Sequence, residues 1–338
     1  MKIGIFKTYD QAFKRVIEAC VDLNVAYEVI DILAPDWIER VRNSDCDGFF
    51  CPSTCASQEK KSILDERYFF VSQIMKRKIY PDFLGLFIHE NKRNMSAWLQ
   101  FSGFPHVPTK VFLERGQALE YVNSCRYPIV VKANLGAAAS KVRILQNKRQ
   151  ARTYVRAVFP RWSNALSLLH IGKVYWSKVR GVRVPDLSAP QKDYVLLQDF
   201  RKIICEWRII KIGNSYFGHQ KLLKGHFASG SGKVGWVAPP ENLLFLVKDI
   251  CDAGGFVCMD VDIFETVEGE FLVNELQASF GSYADSQMYI NGVPGRFKWE
   301  HDHFVFEEGV FNVFGSNKLK VAAFIEILAH KTSAKQEQ

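Results

Sequence analysis

The stretch from Phe256 to Gly281, FVCMDVDIFETVEGEFLVNELQASFG, constrains this chain more than any other. MDVDIF and EFLVNELQ are both rich in β-formers and TVEG between them has turn composition, so the segment reads as a hairpin with an acid on each arm. Those acids are Asp262 and Glu275. With side chains on one face of adjacent strands they suit a hard cation such as Mg2+, which takes oxygen ligands and fills the rest of its shell with waters and substrate phosphates. Like charges so close repel when no cation lies between them. Loss of either acid is therefore expected to leave the fold intact or even relieve it. The plainer alternative is a solvent-facing hairpin carrying ordinary surface acids.

A second feature lies far upstream, in YPIVVKANLGAAASKVRIL from Tyr127 to Leu145. Lys132 ends an otherwise apolar run, and a lysine in a buried strand is costly unless it meets an anion. The small-residue loop that follows, Asn134 to Ser140, lets backbone N–H groups approach phosphate oxygens. It is neither a GxxxxGK[ST] loop nor a GxGxxG turn, so those two nucleotide-binding folds are disfavoured.

These features, in their order along the chain with MKIGIF, HENKRNMSAWLQFSGFPHVPTKVFL, VLLQDFRK, EWRIIKIG and NELQ, resemble the ATP-grasp superfamily, which includes glutathione synthetases, D-alanine ligases and glutamate-adding ligases. The resemblance covers most of the sequence. It implies an α/β protein of ATP-grasp fold, with an N-terminal parallel α/β domain and two α+β subdomains enclosing the nucleotide, and ATP and Mg2+ as cofactors. By position, Lys92 and Lys132 match the lysines that contact ATP phosphates, and Gln198, Asp199 and Phe200 match the hinge beside adenine. Glu206 matches a ribose-contacting acid and Arg208 the arginine two residues on. Asp262 and Glu275 match the metal carboxylates. Gln277 stands where relatives have a third, asparagine ligand, and its amide oxygen is one methylene further out. The loop GAAASK also departs from the pattern, with one glycine where relatives have several.

Along the chain, MKIGIF, VAYEVIDIL and DGFFCP read as strands alternating with the helices DQAFKRVIEACVDL and PDWIERVRNS, which predicts a small parallel α/β domain over residues 1–90. ILDERYFFVSQIMKRK reads as an amphipathic helix, YPDFLGLFI as a further strand, and Asn91 opens the lysine-bearing helix. A central subdomain is expected over 91–195, with VPTKVFL and YPIVVKA as strands and NKRQARTYVRAVF as a helix. The charged, proline-punctuated interval Ser177 to Lys192 reads as a loop or hairpin. The last subdomain, 196–338, carries EWRIIKIG, NSYFGHQKLL, the helix ENLLFLVKDICDAG, the acidic hairpin and a closing helix LKVAAFIEILAHK. The tail TSAKQEQ is expected to fray.

At 338 residues with 48% hydrophobic content the chain is large enough for two or three cores, which excludes general disorder. No stretch approaches the roughly 20 apolar residues of a membrane span. The start MKIGIFKTYD turns charged too soon for a secretory signal, so a cytoplasmic location and no membrane partner are expected. Cys51 and Cys55 are spaced CxxxC with nothing nearby to complete a zinc site, and the cysteines are expected to be buried free thiols. The formal charge of +8 includes basic clusters at Lys141 to Arg156 and Arg180 to Arg183. They lack the interleaved aromatics and motifs of nucleic-acid binders, so no nucleic-acid partner is expected.

The Gly/Ser-containing segment Leu222 to Trp236 reads as a lid, with Lys221, Lys224 and Lys233 able to meet phosphate or a developing oxyanion; a plain connector is the alternative. His219 and His226 read as structural residues, and the HxH of His301 and His303 as a surface turn. The activity implied by the resemblance is an ATP-dependent ligase joining a small-molecule carboxylate to an amine through an acyl phosphate. In it Arg208, Lys221 and Lys224 act at the reacting centre. A kinase on the same fold and a non-catalytic nucleotide-binding protein are the rival classes. The sequence leaves the substrates and the oligomeric state open.

Overall fold

The computed structural model describes residues 1–136, 141–159, 193–281 and 284–336, with side chains to residue 329. Four residues of the small-residue loop (137–140), the interval 177–192 and its basic cluster at 180–183 lie outside the described residues. The chain divides into two compact units, Met1–Thr54 with Ser62–His106 and Lys202–Gln338, and Cys55–Lys61 with Val107–Arg201.

The first unit opens with a parallel sheet of β1 (Lys2–Lys7), β2 (Ala26–Asp31), β3 (Gly48–Phe50) and β4 (Lys78–Tyr80), in the order β2-β1-β3-β4. Helices α1 (Phe13–Asp22), α2 (Trp37–Asn43) and α3 (Gln58–Phe69, continuing as a π-turn over Phe70–Ile74) connect these strands. The strand expected over YPDFLGLFI is corrected. Only Tyr80 belongs to β4, and Phe83–Ile88 forms the short helix α4. A brief apolar run suits either geometry, and here Asp82 decides it by capping, its carboxylate accepting the Gly85 N–H at 2.7 Å.

Asp82 also gives a pH test. Burial pushes its carboxyl up to about 6, against the backbone N–H bonds it accepts. Because the folded pKa lies above the unfolded one, the native state holds a proton that the unfolded chain has shed, and stability falls as pH rises from about 4 through about 6. Asp82→Asn keeps the capping oxygen without titrating. Its urea midpoint is expected to gain on the parent's across this window, by up to about 3 kcal/mol of stability. An unchanging difference between the two proteins would disprove it.

Helix α5 (Lys92–Phe101) is capped as expected by Asn91, which accepts the Asn94 N–H. The second unit is an antiparallel sheet of β5 (Thr109–Phe112), β6 (Ile129–Lys132), β7 (Val142–Leu145) and β8 (Val195–Asp199), ordered β5-β8-β6-β7. Its core includes Ile129, Val131, Val195 and Leu197 from one sheet face. Packed there are helix α6 (Arg115–Ser124), through Ala118 and Val122, and α7 (Lys148–Val158), through Ala151 and Val155.

The largest sheet belongs to the first unit. It contains β9 (Ile203–Ile212), β10 (Ser215–Lys221), β11 (Val234–Gly235), β12 (Cys258–Thr266), β13 (Phe271–Gln277), β14 (Tyr289–Ile290), β15 (Val293–Glu300) and β16 (His303–Glu308), with β13-β12-β9-β10 at its centre. One face, through Trp207, Ile209, Val261 and Ile263, packs on helix α8 (Glu241–Gly254) and on Met95 and Leu99 of α5. Gly255 ends α8 with φ +64°, a left-handed conformation that glycine adopts without strain, and Phe256 N–H closes the end on the Cys251 carbonyl. The lower part of the other face, with Ile210, Ile212, Phe217 and Cys258, packs around Phe324 of the last helix, α9 (Asn317–Gln336). That helix continues to Gln336 through most of the tail expected to fray.

β12 and β13 form the acidic hairpin, closed by Gly269 at φ +83°. Cys20, Cys46, Cys51, Cys205, Cys251 and Cys258 are buried free thiols, whereas Cys55 is exposed. Among the described residues no helix is long and apolar enough to cross a membrane.

Candidate active site

The upper part of the second face of the large sheet is charged. Cross-strand register puts Glu275 opposite Asp262, Asp262 opposite Arg208, and Arg208 opposite His219. Directly opposed residues of an antiparallel pair share a face, so the four form one row across β13, β12, β9 and β10. Flanking rows bring Asp260 opposite Gln277 and Glu206 opposite Lys221.

A bulge makes this row. Phe271 and Val273 point into the apolar core, and simple alternation would send Glu275 after them. Asp262 pairs with Glu275 but the next residue, Ile263, pairs with Val273, leaving Asn274 as an extra residue. The alternation restarts one residue late, with Leu276 and Ala278 in the core and Glu275 beside Asp262.

Arg208 is the hub. Its Nε and Nη2 donate to Asp262 Oδ1 and Oδ2 at 3.1 and 3.2 Å, and Nη2 lies 2.9 Å from Asp260 Oδ2. Lys221 Nζ bridges Asp262 Oδ2 at 2.5 Å and Glu206 Oε1 at 2.9 Å. Lys92 Nζ lies 2.9 Å from Glu275 Oε1 and 3.9 Å from Glu90 Oε2. Burial pushes the Asp262 carboxyl up, but Arg208 and Lys221 outweigh it and hold the group well below the usual range. Burial likewise pushes Lys92 and Lys221 down, and the neighbouring carboxylates more than reverse it. Burial wins at Glu206, which is raised despite Lys221, and at Asp260, which is pushed up to about 7 despite Arg208.

This arrangement corrects the expectation that the acids repel unless a metal separates them. The chain supplies the counter-charge through Arg208, Lys221 and Lys92. Among the described residues only Glu28, Asp45 and Cys46 gather three potential metal-ligand atoms within 4.8 Å, and the Lys2 ammonium already sits on that group, 2.9 Å from Glu28. The oxygens of Asp260, Asp262, Glu275 and Gln277 are nevertheless of the kind that Mg2+ takes. They are all hard donors on one face, and neither oxygen of the fully buried Asp260 meets a donor in hydrogen-bond geometry among the described residues, although Oδ2 is ion-paired with Arg208 at 2.9 Å.

Sequence reasoning did not single out Asp260, although its place two residues before Asp262 on a strand signals the same face. It also passed over Ser229. From the loop after β10, the Ser229 hydroxyl donates to Glu206 at 3.0 Å, and no local pattern announces that contact. Lys224, in the same loop, is exposed and outside the cluster, its backbone closing a small turn with Phe227.

The remaining predicted residues lie in the second unit. Lys132 is buried at the end of β6, opposite Leu196 on β8, and Gln198 is opposite Val130. Lys132 and Gln198 therefore share the sheet face turned away from α6 and α7. Gln198 Nε2 donates to Thr109 Oγ1 at 3.0 Å. Asp199 alternates to the helix side, and its N–H bonds the Pro108 carbonyl at 3.0 Å. Phe200 follows, partly buried.

No family model matches the chain, and no curated protein matches it in sequence. Solved structures do match in shape. D-cycloserine synthetase DcsG is similar over 97% of this chain and 100% of its own, with a TM-score of 0.59 at 15% identity. A RimK domain protein ATP-grasp from Sphaerobacter thermophilus is similar over 82% of this chain and 90% of its own, with a TM-score of 0.51 at 13% identity. N5-carboxyaminoimidazole synthetase from Staphylococcus aureus is similar over 88% and 81%, with a TM-score of 0.54 at 12% identity. Likeness at this level of identity establishes the architecture: the chain has the ATP-grasp fold.

Proposed function

We propose that this ATP-grasp chain is an ATP- and Mg2+-dependent ligase that joins a small-molecule carboxylate to an amine through an acyl phosphate, working in the cytoplasm. The observation that carries the proposal is the row Glu275–Asp262–Arg208, with Lys221 and Glu206 beside it, on one sheet face. Such a row aligns acidic oxygens for a cation with a guanidinium fork for an anionic group. The synthetases of similar shape support the reading.

Asp260, Asp262, Glu275 and Gln277 would hold Mg2+, which when bound neutralises phosphate charge and acts as a Lewis acid. Lys92 and Lys132 would meet phosphate oxygens, Gln198 to Phe200 the adenine, and Glu206 the ribose. Arg208 and Lys221 would meet the γ-phosphate and the acyl oxygen, stabilising the charge that develops there. Lys224 would reach the phosphates only by movement of its loop. The attacking groups belong to the substrates, so no protein nucleophile is required.

The test is binding of MgATP. Ligand at about a hundredfold over its Kd adds roughly 2.7 kcal/mol to stability, readily seen as a rise in melting temperature. No shift with ATP, ADP or a non-hydrolysable analogue in the presence of Mg2+ would sink the nucleotide assignment. In turnover a ligase releases free phosphate, whereas a kinase leaves it on the substrate.

A further inference from the structure

His219 ends the charged row, one strand spacing of about 4.8 Å beyond Arg208. Its Nδ1 lies 2.9 Å from the carbonyl oxygen of Gln287. A carbonyl only accepts, so Nδ1 carries the proton, and in a neutral imidazole that leaves Nε2 as a bare acceptor. Burial pushes the ring down to about 4, and the facing cations Arg208 and Lys221 add to this against the Gln287 hydrogen bond and the nearby Asp262 carboxylate. The imidazole is therefore neutral at physiological pH.

One aromatic ring adjoins it, and a second packs on the first. The Trp236 ring lies 5.2 Å from His219, and Tyr289 packs edge-on to Trp236 at 4.8 Å. Trp236 keeps 38% of its surface exposed, so a small molecule can reach it from solvent.

We propose that His219, Trp236 and Tyr289 form the subsite for the attacking amine, with Nε2 of His219 accepting one of its N–H groups. The inference rests on the ligase reading above. The order of the row matches the order of the chemistry, with cation and phosphates at Glu275 and Asp262, acyl oxygen at Arg208 and amine at His219. A bare lone pair repels a carboxylate, and aromatic faces favour an ammonium, so a primary amine with an apolar or aromatic body fits. The amine nitrogen bonds to the acyl carbon, the bond from that carbon to the phosphate oxygen breaks, and phosphate leaves with the electron pair. An amine that arrives as an ammonium first passes one proton through Nε2 to water, which frees the lone pair that attacks, and the proton shed on bond formation takes the same route.

The experiment uses full-length protein labelled with 15N-histidine, saturated with Mg2+ and the non-hydrolysable analogue AMPPNP and titrated with benzylamine. The His219 signals are identified by their loss in His219→Asn, which keeps an N–H toward Gln287 and removes Nε2. The expected spectrum at about pH 6 is a neutral ring protonated at Nδ1, with benzylamine shifting Nε2. Trp236→Leu, at an exposed position that does not threaten the fold, and His219→Asn should each weaken benzylamine binding at least about tenfold. AMPPNP affinity should hold within about twofold in both. A protonated ring, an Nε2–H tautomer, or no perturbation by about 10 mM benzylamine would overturn the proposal. Absence of AMPPNP binding while benzylamine still perturbs His219 would sink the ligase reading and leave the amine subsite standing.

Discussion

Asp262→Ala should unfold at markedly lower urea than the parent, with a loss of roughly 3–5 kcal/mol, because it leaves Arg208 and Lys221 as buried cations without their shared partner. Asp262 lies in the middle of the row, where its two oxygens take three contacts from these two residues. The Mg2+-dependent part of nucleotide stabilisation should vanish in the same variant. Asp260 softens the loss to some extent, since its oxygen already lies 2.9 Å from Arg208 and can take more of that charge. Asp262→Asn keeps the shape and one acceptor, so it should cost less stability yet abolish metal dependence as fully. Equal stability of Asp262→Ala and parent would mean that the ion network contributes nothing to the fold. Such a result would restore the simpler picture of repelling acids.

Lys132→Met should leave stability near the parent's and weaken MgATP binding by roughly tenfold to a hundredfold, the worth of one hydrogen bond to a charged group. The methionine fills much of the volume of the lysine stem, and the position is buried on a strand paired on both sides. Sheet pairing therefore survives the change while the charge is lost. Isothermal titration separates the outcomes. Unchanged MgATP affinity would remove Lys132 from the phosphate site and with it the strongest nucleotide assignment in the second unit.

The two variants probe features of different visibility. Lys132 stands out in the sequence because a lysine closing an apolar run is chemically anomalous wherever the chain places it. The acidic hairpin is legible for a similar reason, since β-formers around a TVEG turn admit few other geometries. Helix α8 was also plain, with apolar residues at helical spacing and a glycine at its end. YPDFLGLFI was misjudged because a strand and a buried helical turn share the same short apolar pattern, and only the Asp82 cap separates them.

The sequence by itself determined much of the strand and helix order, though not α4, α6 or the strands β14 to β16, together with the hairpin and the segregation of Lys132 in an apolar strand, which follow from local periodicity and residue chemistry. Its motifs in their order carried the resemblance to the ATP-grasp superfamily. Which side chains meet was decided by the tertiary structure. Alternation alone sends Glu275 into the core with Val273, and the extra residue at Asn274 turns it to Asp262. Arg208, His219 and Lys221 reach that face through a register set by pairing across four strands, and Ser229 through a loop closure. Register and closure depend on contacts between residues far apart in the chain. No local pattern encodes them, so the neutralisation of the acids by Arg208, Lys221 and Lys92 appears only in three dimensions.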